Sequence, residues 1–403
     1  MRTKGNESVY SEFEKLMQEN RYQQAAELLR EKKGTSALLR NMDYIISRMD
    51  REDEQTFLSE FPKDCSTLIL LQLLFRYEGV QRKDGRIFKF TQHNLMKVHY
   101  ETPEESKKCQ SRLTEEQVKE VGKMIRSKLS EKLRNRLGKV YIEPSMKNYT
   151  LPLAENTSQG GLGVLSKGSR IPIDKGKKLR AFTYWEKVND IDLSVFALTE
   201  DGNRREFSWR TMSRHQSGAI TYSGDETSGY LGGSEYFDIN LPEFKARYSE
   251  YRYLIFCDNV YSGKNFNECF CKAGYMLRDW DDSGQVYEPK TVKSAYLMNC
   301  ESTFAYLLGI DLFTNEFVWL NVAKNSKSRV AGDTNLSFLT DYFHLTDVMN
   351  MYDFFSMMAE KIVEDPMEAD VVVTDHEVKC TEEAQIIREY DFEKIRMLME
   401  DAK

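Results

Sequence analysis

The sequence predicts an α+β chain of several domains. A mainly helical module occupies 1–142, an all-β sandwich with a terminal helix 143–363, and a small, acidic α/β tail 364–403. Three observations predict this. Apolar residues recur at helical spacing through 8–80. After Ser158 about ten short apolar runs are separated by Gly, Asp and Asn turns, with no long helix between them. The last forty residues combine a valine triplet with one amphipathic stretch.

In the first region, Ser11-x-x-Glu14 fits a capping box. Phe13, Leu16 and Met17, then Ala25, Leu28 and Leu29, mark two short helices, and Leu38, Leu39, Met42, Ile45 and Ile46 a third. Leu68–Phe75 is apolar on nearly every side and reads as a buried helix, too short to span a bilayer. The period changes at Gly85–Glu101, where two short runs around a T-Q-H-N turn predict a hairpin. Thr114-x-x-Gln117 then caps a long helix with Val118, Val121, Ile125, Leu129, Leu133 and Leu137 on one face and Gly138 as its stop. Between Lys119 and Lys139 eight basic residues face two acidic ones. A solvated helix face is the plain account; an anion- or membrane-facing surface is the sharper one.

The β-rich region offers strands at Leu179–Trp185, Leu193–Leu198, Arg205–Trp209, Ile220–Ser223, Tyr236–Leu241, Tyr253–Cys257, Cys271–Leu277, Val286–Glu288, Phe304–Ile310 and Phe317–Asn321. A Met- and Phe-rich helix, Val348–Glu360, would lie on the sandwich. In the tail, Val371–Val373 predicts a strand and Phe392–Met399 a helix. Its thirteen acidic residues against five basic ones suit solubility, or pairing with the basic helix.

Composition excludes several classes. A net charge of -7 gives no global attraction for nucleic acid, and no aromatic platform accompanies the basic helix. Seven Cys without regular spacing argue against a disulfide framework. The polar start M-R-T-K-G-N-E-S predicts no leader and a cytoplasmic protein. Nucleophile-elbow and phosphate-loop motifs are absent. Asp279-x-Asp281-x-Ser283-Gly284 imitates an EF-hand loop but has Lys290 where Glu is needed, and reads as a hairpin turn.

The turns between Val188 and Arg278 carry the chemistry. Asn189–Leu198 reads N-D-I-D-L-S-V-F-A-L, Tyr222–Glu235 reads Y-S-G-D-E-T-S-G-Y-L-G-G-S-E, and Tyr253–Asn259 reads Y-L-I-F-C-D-N. Oxygen-rich turns at strand ends suit a hard cation such as Ca²⁺, although Asp, Gly and Asn are also ordinary turn formers. These motifs, with L-S-K-G-S-R-I-P-I at Leu165–Ile173 and N-F-N-E-C-F at Asn265–Phe270, resemble the TerD family of tellurium-resistance and stress-response proteins over about Val164–Glu360. The resemblance implies a β-sandwich binding Ca²⁺ at end loops, with no catalysis. It makes Asp190, Asp192, Asp225, Glu235 and Asp258 the ligand candidates and matches Gly224 and Gly229 to loop glycines. Tyr230–Ser234 stands where the family is richer in Asp, and Glu226 where it has Asn.

The expected function is therefore a non-enzymatic, Ca²⁺-binding stress-response scaffold or sensor. Its partners would be other proteins, including other stress-response family members, and not nucleic acid. The alternative is a metal-independent adaptor working through its helical half, and a third class is a carbohydrate-binding or hydrolytic sandwich with a structural Ca²⁺.

Overall fold

The computed structural model describes residues 8–62, 65–79, 87–92, 95–100, 113–153, 161–162, 165–174, 176–261, 264–279, 289–324 and 336–400. The strand expected at 286–288 and most of the EF-hand-like loop lie outside them.

Helices α1 (Val9–Gln18), α2 (Tyr22–Lys33), α3 (Thr35–Ile46), α4 (Arg51–Ser59) and α5 (Thr67–Glu78) open the chain. The α1 cap is Ser8, whose hydroxyl accepts from the Ser11 amide, so the helix starts before the predicted capping box. Strands β1 (Ile87–Gln92) and β2 (Leu95–Tyr100) form the expected hairpin. Helix α6 (Glu115–Leu133) carries the full Thr114/Gln117 capping box. It ends four residues before Leu137, because Asn135 turns left-handed at φ 57° and Leu137–Ile142 becomes β3. Gly138 is therefore a strand residue. A Cβ there would lie 2.4 Å from Asp370 Oδ2, the atom that accepts the Lys139 amide.

The β-rich region builds two antiparallel sheets. The strands are β4 (Gly161–Leu162), β5 (Arg170–Pro172), β6 (Lys178–Glu186), β7 (Ile191–Leu198), β8 (Arg204–Phe207), β9 (Ile220–Tyr222), β10 (Gly233–Ile239), β11 (Tyr253–Val260), β12 (Phe270–Arg278), β13 (Val292–Leu297), β14 (Phe304–Asp311) and β15 (Glu316–Lys324). One sheet runs β1-β2-β15-β14-β11-β7-β8, with β5 also on β15; the other runs β4-β13-β12-β6-β10-β9. The β1–β2 hairpin thus extends the first sheet, rather than staying with the helices, through a parallel bridge between Met96 and Lys324. Trp185, Leu193, Val195, Phe237, Leu254, Phe256 and Trp319 fill the space between the sheets. The outer face of the first sheet packs Phe196, Tyr253, Ile255 and Tyr306 beneath Leu339 and Phe343.

The remaining elements correct the expected division. Helix α7 (Met351–Met358) is shorter than predicted, and Ala359–Ile362 is strand β16. With β17 (Val371–Val373) and β18 (Gln385–Ile387), β16 and β3 form a parallel sheet ordered β16-β3-β17-β18. Helix α8 (Phe392–Met399) closes the chain, with the predicted bounds. Met351, Phe354, Phe355, Val373, Ile387, Ile395 and Met399 share one core with Leu71, Ile125 and Leu129 of the N-terminal helices. The 351–358 helix therefore packs with the helical module instead of lying on the sandwich, and the tail completes that module. The sandwich is an insertion between β3 and α7. Several basic side chains of α6 and the turn after it are used internally: Arg126 pairs with Glu78 and donates to Val348 O, Lys132 donates to Cys65 O, and Arg136, beyond the helix end, donates to Leu398 O and Glu400 O. No described helix is long and apolar enough to cross a membrane.

Candidate metal centre

The centre lies where the turn before β7 meets the β9–β10 loop. Backbone bonds lace these segments together: Gly229 N to Asn189 O at 2.8 Å, Lys187 N to Tyr230 O at 2.9 Å and Tyr261 N to Asp190 O at 3.3 Å. The loop begins with Gly224 at φ 106°, a conformation L side chains rarely adopt. Its glycines also press on Trp185, which is fully buried; a Cβ on Gly229 or Gly233 would come 2.6 or 2.4 Å from the indole.

Asp190, Asp192 and Asp225 meet here, each offering a carboxylate oxygen with all three within 4.8 Å of one another. Asp192 is buried, Asp190 half-buried and Asp225 exposed, so the group opens to solvent on the Asp225 side. Oxygens bound to one Ca²⁺ lie about 2.3–2.6 Å from it, and so at most about 5 Å apart, which this spacing satisfies. Asp190 Oδ1 is buried with no hydrogen-bond partner. Burial first, then Asp225 and Glu226, push the Asp190 carboxyl up to about 6. Burial and Asp190 push Asp192 up to about 7, against a bond from Asn259 Nδ2 at 3.2 Å. Asp225 is raised by burial and by Glu226. Asp190, Asp192, Asp225 and Glu226 thus concentrate negative charge at this end.

The other two candidates have different places. Glu235, fully buried on β10, accepts the amides of Leu193 at 2.8 Å and Glu226 at 3.1 Å. Burial pushes its carboxyl up to about 8 despite those bonds. It lies beneath the trio and braces both loops. Asp258 is removed from the site altogether. It stands opposite Leu193 in the β7–β11 ladder, so its side chain turns into the space between the sheets, where Thr183 Oγ1 of the other sheet donates to it. Burial pushes that carboxyl up to about 7. Its neighbour Asn259, opposite Asp192, takes the place at the site. Asp258 shares the inward face with Leu254 and Phe256, but the strand is apolar on both faces, so the sequence carried no signal for which face that is. Glu226 was the second residue missed. Its carboxylate accepts the Ser228 amide at 2.7 Å and adds charge beside Asp190 and Asp225.

Comparison of the chain with protein-family models, with curated proteins and with solved structures returns no match. The functional reading therefore rests on the motifs and on this geometry.

Proposed function

We propose that the chain is a non-enzymatic, TerD-like stress-response protein whose sandwich end binds one Ca²⁺ through Asp190, Asp192 and Asp225. The observation that supports this best is the convergence of three carboxylates, one of them with a buried, unpartnered oxygen. A bound cation would satisfy Asp190 Oδ1, remove the mutual repulsion and hold the 187–190 and 224–232 segments together. Three side-chain carboxylates are fewer oxygens than Ca²⁺ prefers, so water completes the shell on the open side and affinity is modest. Tyr230, Leu231 and Tyr261 are exposed on the laced segments, which makes them the surface whose order responds to the ion. Calorimetric titration of the full chain with Ca²⁺ tests the reading. Heat of binding lost in Asp192→Asn supports it, and identical titrations of the two proteins refute it.

The metal-independent adaptor is favoured by one observation. Glu235 already ties the two loops through backbone amides, so the end can hold its shape with no ion.

A further inference from the structure

A cleft of about 190 Å³ lies between α4 and the first turns of α6, away from the sandwich. Met49 and Leu58, both largely buried, give it apolar walls, and Glu54, Glu116 and Glu120 give it carboxylates. Glu54 is only 8% exposed, yet its Oε1 is buried with no hydrogen-bond partner. Burial raises its carboxyl most; a side-chain hydrogen bond from Gln117 and the charge of Arg51 pull it the other way, and Glu120 and Glu116 add to the rise. Gln117 is anchored by backbone, its Oε1 accepting the Thr114 amide and one Nε2 hydrogen going to Ile46 O, and its second amide hydrogen is directed to the Glu54 carboxylate. Arg51, the cation in the lining, pairs at 3.5 Å with Glu116 at the rim, where both side chains are exposed.

A buried carboxylate oxygen without a donor is costly, and the costs fall when a charged donor reaches it. The donor that fits these walls has an apolar stem and a compact charged tip, because such stems pack on apolar surface while the tip seeks a carboxylate. We propose that this cleft binds a primary alkylammonium group, the chemistry shared by a lysine side chain and a free polyamine. The stem lies on Met49 and Leu58. The ammonium pairs with the Glu54 carboxylate, whose side chain turns to present an oxygen to the cleft, with Glu120 adding charge at the mouth. The proposal is independent of the Ca²⁺ reading and gives the helical module a ligand of its own.

The test uses the full chain carrying ¹³C-methyl methionine, with Met49 assigned by Met49→Leu. Pentylamine is titrated at pH 7.5 and low salt, with 1-pentanol as the uncharged match, and the Met49 methyl signal is followed. The expected result is saturable movement of that signal at millimolar pentylamine, at least about tenfold weaker with pentanol and with Glu54→Gln. Glu120→Gln, on an exposed helix face, keeps the fold and weakens binding about threefold. Blocked lysine amide and spermidine then separate a protein side chain from a free polyamine by which binds tighter. The proposal is overturned if pentanol matches pentylamine, or if Glu54→Gln and Glu120→Gln both bind as the parent does.

Discussion

Glu235 on one sheet accepts the amide hydrogen of Leu193 on the other at 2.8 Å, one residue from Asp192. Strand β8 pairs with β7 only as far as Val195, so it leaves the Leu193 amide without a strand partner, and the carboxylate takes it. The same side chain holds the Glu226 amide in the facing loop. Glu235, a ligand candidate by the motif resemblance, thus joins the strand that carries Asp192 to the loop that carries Asp225.

Replacing Glu235 with Ala leaves two backbone amides without their acceptor and opens a cavity between the loops. The expected loss is about 2–4 kcal/mol in urea unfolding, the same with and without Ca²⁺. A loss seen only in the presence of Ca²⁺ would instead make Glu235 a ligand.

The raised carboxyls fix the sign of a pH dependence. In the unfolded chain Asp190 and Asp192 release their protons near pH 4, whereas in the fold they hold them to about 6 and 7. The folded state therefore binds more protons over that interval. The stability contributed by protonation is present at low pH and is lost as pH rises from about 4 through 7. Asp192→Asn should make the metal-free protein more stable at pH 7.5, by roughly 1–2 kcal/mol after allowing for solvent screening around Asp190. Ca²⁺ affinity of the parent should rise over pH 6–7, as the carboxylates ionise. Both are read from unfolding curves and titrations at pH 5.5 and 7.5.

Gly233→Ala places a methyl carbon within 2.4 Å of the buried Trp185 indole. The loop or the indole has to move, at a cost of about 1–3 kcal/mol. Near-ultraviolet dichroism of the tryptophans should change, and Ca²⁺ binding should weaken with it.

Deleting 364–403 tests the status of the tail. Val372, Val373, Ile387, Ile395 and Met399 are all buried, and β17 pairs with β3 along its length. The truncated chain should aggregate or lose the cooperative unfolding of its helical part. A merely solubilising tail would leave the melting temperature unchanged.

Local patterns were legible in the sequence where the information is local. The Thr114 capping box, the bounds of Phe392–Met399, the hairpin and most sandwich strands each follow from a period or a cap within a few residues. The parallel sheet was not, because its strands are short and two of its three pairings cross more than two hundred positions, as Val140 does with Val371. Nothing near Val371 says that its neighbour lies before the sandwich. At the site, Asp190, Asp192 and Asp225 are singled out by the family resemblance, and the structure brings their carboxylates together. The places of Glu235 and Asp258 needed the third dimension, because β11 is apolar on both faces and its alternation does not say which face meets the other sheet.

The most direct test of the proposed Ca²⁺ site is thermal unfolding of the full chain at pH 7.5, with millimolar Ca²⁺ and with chelator, for the parent and for Asp190→Asn/Asp192→Asn. A ligand at 100 times its Kd that binds only the folded state adds about 2.7 kcal/mol, or a rise of about 5 °C in the sandwich transition. The account predicts that rise in the parent and none in the double variant, whose chelated form melts higher than the chelated parent. Equal shifts in both proteins, or no shift in the parent, would contradict it.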